Sequence, residues 1–81
     1  MPKLKVLSGQ DIVRILESFG FAQEHQKGSH VKLARITESG TREILTIALH
    51  RDMKKGTIQG VFKQASRYVS QEDLRPHFYT E

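Results

Sequence analysis

The stretch at residues 26–50, QKGSHVKLARITESGTREILTIALH, decides the fold. Its first half alternates: Val31 and Leu33 fall on one side of an extended chain, His30, Lys32 and Ala34 on the other. ESGT, residues 38–41, is a hairpin turn because Ser-Gly permits a positive φ. REILTIAL, residues 42–49, is the next strand, with Leu45, Ile47 and Leu49 as its buried set and Ile44, Thr46, Ala48 and His50 opposite. Upstream, FAQEHQ (residues 21–26) is a shorter strand and KGS (residues 27–29) is the turn that follows it. Parity puts His30 and His50 away from the core, on the open face or edge of one antiparallel sheet.

Helical periods flank these strands. In SGQDIVRILESFGF (residues 8–21), Ser8 is an N-cap and Asp11 is placed to reach back as in a capping box. Ile12, Ile15, Leu16 and Phe19 make one apolar stripe, and Gly20 stands where a left-handed residue closes a helix. In KKGTIQGVFKQASRYV (residues 54–69), the stripe is Ile58, Val61, Phe62, Ala65 and Val69, with the helix starting at Gly56 or Thr57. Gly60 inside it costs about 1 kcal/mol relative to Ala and is expected to mark close packing. Ser70 and Asp73 open a short tail helix that Pro76 limits. The order α-β-β-β-α predicts an α+β, two-layer domain, with helices on one face of a three-stranded antiparallel sheet. One domain is expected over residues 1–81, with a core at about 8–69 and a tail at 70–81.

Composition narrows the function. A chain of 81 residues buries only roughly 60% of its unfolded surface, so any active site is shallow and suits a polymer better than a small metabolite. Mean hydropathy is −0.49, lean but adequate for two thin layers. Thirteen Lys and Arg against nine Asp and Glu give a net charge of +4, pointing to an anionic partner. Cysteine is absent, which excludes disulfides, thiol catalysis and cysteine metal sites. The N-terminal residues MPKLKVLSGQDI contain no apolar run of signal-peptide or membrane-span length, so a cytoplasmic protein with no membrane contact is expected.

His30 is the first candidate for chemistry, since an imidazole both takes and gives a proton near neutrality. In metal-free RNA cleavage a base takes the 2′-hydroxyl proton, the freed oxygen attacks its own phosphate, and an acid protonates the leaving 5′-oxygen. Gly28 leaves room for a phosphate to approach the backbone, Ser29 offers a hydroxyl, and Lys27 and Lys32 offer charge. His50 is the candidate for a second acid or base. It adjoins a basic loop in which Arg51, Lys54 and Lys55 lead to Gly56 and Thr57 at a helix start, a place suited to phosphate. His25 reads as structural or incidental, and His77 ranks last. The histidine spacings make a poor metal site, so no metal or cofactor is expected. Phe19, Phe21 and Phe62 belong to the core, while Tyr68, Phe78 and Tyr79 lie outside the sheet, so no base-stacking platform is expected.

Over roughly residues 8–66 the chain resembles the HicA family of toxin–antitoxin systems. The resemblance rests on the capped helix ending FGF, the KGSH turn, the hairpin, and LH…KKGTI…VFKQA. It implies a double-stranded-RNA-binding-domain-like fold, an mRNA interferase activity, and a catalytic histidine in the Gly-Ser-His turn, which is His30 here. It also implies an mRNA substrate and a HicB-type antitoxin as partners. The chain departs from the pattern at Ile47-Ala48-Leu49, where members often carry proline, and in its longer tail. Competing readings are a non-catalytic RNA-binding module on the same basic surface and a protein-interaction domain that meets only an acidic partner.

Overall fold

The computed structural model describes residues 2–80. In chain order the elements are β1 (Lys3–Leu4), α1 (Gly9–Ser18), β2 (Ala22–Lys27), β3 (His30–Ile36), β4 (Arg42–Ala48), α2 (Lys55–Ala65), α3 (Gln71–Phe78) and β5 (Tyr79–Thr80). Strands β2, β3 and β4 form a three-stranded antiparallel sheet in that order. This is the α+β architecture that the alternation at residues 26–50 predicts.

Helix α1 starts where its local chemistry dictates. The Ser8 backbone N–H donates to the Asp11 carboxylate at 2.9 Å, and the Asp11 N–H donates to the Ser8 hydroxyl at 3.1 Å. The Asp11 carboxyl is held below the usual aspartate range, chiefly by that Ser8 backbone N–H. At the other end Gly20 takes φ +96°, a left-handed conformation that L side chains rarely adopt.

Alternation along β3 and β4 sets the core. Val31, Leu33, Leu45 and Ile47 turn inward and meet Ile12 and Leu16 of α1 and Ile58 and Phe62 of α2 in one buried cluster. The same face carries a polar fastening. Arg35 of β3 donates to Glu43 of β4 at 2.7 Å, to the Phe19 carbonyl closing α1 at 2.9 Å, and to the Tyr68 carbonyl past α2 at 2.9 Å. Its guanidinium also lies 4.8 Å from the centre of the Phe21 ring. One side chain thus ties the ends of two helices to the sheet.

Several expectations give way. The core extends beyond residues 8–69: Leu7, Leu74 and Phe78 are buried in it. Phe78 is therefore a core residue and meets Phe62 edge-on at 5.4 Å. Helix α3 runs two residues past Pro76 before the chain turns into β5, which pairs with β1 through Lys3↔Thr80 and Leu4↔Tyr79. Helix α2 begins at Lys55, earlier than Gly56 or Thr57, and ends at Ala65, so Val69 reaches the core from the turn beyond it. A Cβ on Gly60 would meet nothing within 4 Å, so that glycine does not mark close packing.

Candidate active site

The turn before His30 is tighter than three residues. Lys27 pairs with His30 across the β2–β3 ladder, leaving only Gly28 and Ser29 as the loop. Gly28 has φ +60°, the value needed at the first central position of a two-residue turn that matches strand twist. A Cβ there would meet no atom within 4 Å, so backbone conformation fixes the glycine and the space above it is open. The Gln26 side-chain amide donates to the Gly28 carbonyl at 3.0 Å and steadies the turn.

Register then fixes faces. His30 pairs with Lys27 on one side and Ala48 on the other, while Lys32 pairs with His25 and Thr46. Val31 and Leu33 are buried against the helices, so His30 and Lys32 project from the opposite, helix-free face. His25 and Lys27 stand beside them on β2, every residue of which is exposed. At this end the open face is cationic. At the far end it is apolar: Ile36 is 70% exposed, Ile44 is exposed, and Glu24 pairs with Arg42 across them.

His50 takes a different position. Strand β4 ends at Ala48, after which the Leu49 N–H donates to the Ser29 carbonyl at 2.6 Å. The His50 carbonyl accepts from the Gly9 N–H at 2.8 Å. His50 then lines a depression of about 370 Å³ with Ser8, Gln10, Arg14, Leu49 and Arg51, at the start of α1. It is exposed, but it does not continue the flat face that carries His30.

Gly9 makes this seating achievable. A Cβ at that position would lie 2.1 Å from the Ala48 carbonyl oxygen and 2.7 Å from the Leu49 Cα, both backbone atoms. Gly9→Ala is expected to cost about 1–3 kcal/mol through this overpacking and to displace the 48–50 segment. Urea midpoints and the histidine NMR signals check it. A midpoint and a His50 shift equal to wild type would remove the constraint.

The basic loop leaves the sheet at the end where the Gly28–Ser29 turn lies. Arg51, Lys54, Lys55, Gly56 and Thr57 are all exposed, and Lys54 is the N-cap of α2. Among the described residues no side chain caps that terminus, and its first turn carries no acid. Its N–H groups and two lysines therefore face solvent with the positive end of the dipole. The structure brings Lys27, Gly28, Ser29, His30 and Lys32 together on the open face. Lys54 to Thr57 follow in the chain at the start of α2, in the helix layer. A groove of about 530 Å³ between β1 and α2 shares Lys55 with the loop and touches no histidine.

His77 packs edge-on against Phe19 at 5.3 Å, a structural role. Among the described residues no group of three His, Cys, Asp or Glu side chains could hold a metal ion, and no helix is long and apolar enough to cross a membrane. Sequence reasoning left out Arg14, which lines the His50 depression, and did not set His25 opposite Lys32. The signal for His25 was present, because a two-residue Gly-Ser loop places it opposite Lys32.

A family model described as HicA toxin of bacterial toxin-antitoxin matches residues 9–66, a span from the first residue of α1 to just past α2. No curated protein and no solved structure matches the chain.

Proposed function

The chain belongs to the HicA toxin family, and from that premise we propose that it is a single-domain endoribonuclease toxin that cleaves mRNA by histidine general acid–base chemistry without a metal ion. The observation that carries the reading is the seat of His30. Its ring is exposed on a helix-free sheet face, beside Lys27 and Lys32, at the mouth of an open glycine turn. A ribose-phosphate laid on that face meets a proton-transfer group and two ammonium groups together. The lysines offset the charge that builds on the phosphate in the transition state.

From there the RNA backbone passes the Gly28–Ser29 turn toward Arg51, Lys54 and Lys55. The uncapped start of α2, at Gly56 and Thr57, offers N–H groups to a second phosphate. Recognition of this kind follows backbone shape and charge. Strands β2, β3 and β4 carry no Phe, Tyr or Trp, so the open face has no platform of large aromatic rings for bases to stack on. The toxin works in the cytoplasm, where its substrate is, and a HicB-type antitoxin silences it by covering His30 and the Arg51–Lys55 loop with acidic surface.

Two measurements test this. The purified chain in excess EDTA is expected to shorten single-stranded mRNA and leave 2′,3′-cyclic phosphate ends; RNA that stays intact overturns the proposal. Reversing charge with Lys54→Glu and Lys55→Glu is expected to weaken RNA binding across all sequences. The salt slope should flatten by about one per lysine lost. An unchanged slope would take the loop out of the RNA path.

A further inference from the structure

The β2–β3 ladder sets two histidines and two lysines in a two-by-two array. His25 stands opposite Lys32, and Lys27 stands opposite His30. The imidazoles occupy one diagonal and the ammonium groups the other. We propose that His25 is the second proton-transfer residue of RNA cleavage, acting with His30 from the neighbouring strand; this rests on the ribonuclease reading above.

Spacing supports the pairing. Diagonal neighbours on one face of an antiparallel pair lie roughly 7–8 Å apart. Two proton-transfer groups each about 3 Å from an oxygen on opposite sides of a phosphorus need such a separation, not direct contact. A phosphate centred over the array thus has one imidazole toward its 2′-oxygen and the other toward its 5′-oxygen. One imidazole takes the 2′-hydroxyl proton as the O2′–P bond forms. The other, protonated, gives its proton to O5′ as the P–O5′ bond breaks. The products are a 2′,3′-cyclic phosphate and a 5′-hydroxyl, and the two rings have exchanged protonation states.

The other histidines lie outside this array. His50 sits past the end of β4 against the start of α1, with its carbonyl held by Gly9. His77 packs on Phe19. Around His25 the charged groups are Lys27 on its own strand, Lys32 and His30 on β3, and Glu24, whose carboxylate is engaged by Arg42. Strand β4 adds only Thr46 and Ala48 at this level of the open face. The region is therefore cationic, and the substrate phosphate is the anion that completes it.

The test compares pH–rate profiles of wild type, His25→Gln and His30→Ala on one RNA in EDTA, with urea midpoints measured in parallel. Wild type should give a bell. His25→Gln should lose one limb of it and fall roughly 10²-fold in rate at an unchanged midpoint. A His25→Gln profile that keeps both limbs overturns the proposal, whatever its height. If wild type cleaves and His30→Ala does not, that result leaves the ribonuclease reading in place. A wild type that leaves RNA intact overturns both.

Discussion

His30→Ala is expected to lower RNA cleavage by roughly 10²- to 10⁴-fold, the range a positioned general acid or base contributes. The fold should not follow. His30 is exposed, it begins β3 rather than filling the core, and its cross-strand pairing with Lys27 and Ala48 runs through the backbone. Surface substitutions of this kind shift stability by about 0.5 kcal/mol or less. Activity and folding therefore separate cleanly in one variant. RNA binding is expected to persist, because Lys27, Lys32 and the loop at Lys54 and Lys55 remain. Single-turnover cleavage, filter binding and a urea titration on the same preparation decide the matter. Undiminished cleavage would remove His30 from the chemistry. A wild type that binds RNA without ever cutting it would favour the non-catalytic binding module.

Arg35→Ala is expected to cost about 3–5 kcal/mol, because it breaks a mostly buried pair from one side. The side chains of Arg35 and Glu43 are 24% and 12% exposed. Without the guanidinium, the Glu43 carboxylate loses its partner, and the carbonyls of Phe19 and Tyr68 lose their donor. A domain of this size has total stability of only about 5–15 kcal/mol, so the loss is a large share of it. Arg35→Lys should recover little, since a single ammonium lacks the planar fork that reaches three acceptors at once. Replacing both partners, Arg35→Met with Glu43→Leu, should cost much less than either Arg35→Ala or Glu43→Ala alone. Urea midpoints across this cycle measure the coupling. An Arg35→Ala midpoint equivalent to a loss below about 1 kcal/mol would show the fastening to be incidental.

What the sequence revealed was whatever depends on near neighbours. The Ser8–Asp11 box spans three residues and is self-contained, so its letters suffice. The alternation of Val31, Leu33, Leu45 and Ile47 identifies a buried face without reference to what covers it. Contacts between distant segments were not legible. The size of Gly9 is set by Ala48 and Leu49, some forty positions on. Nothing near Arg35 in the sequence points to its partners, which come from α1, β4 and the turn after α2. The terminal pairing of β1 with β5 joins two-residue segments, too short for any period to announce. In the candidate site, His30 and its turn were readable because the motif is contiguous. The pairing of His25 with Lys32 was hidden, because the loop was taken as three residues rather than two.

Strand β2 carries half of the cationic array, and all six of its residues are exposed. Its outer rim is unpaired among the described residues, and a bulge at Glu24 interrupts the ladder that holds its other side. One imidazole thus rides on a strand paired on both sides and its companion on an overhanging edge strand. Under the ribonuclease proposal, RNA lying over both is expected to brace that overhang as it binds. Under the same proposal, a protein that paired with the bare rim of β2 would part the two rings without covering either one.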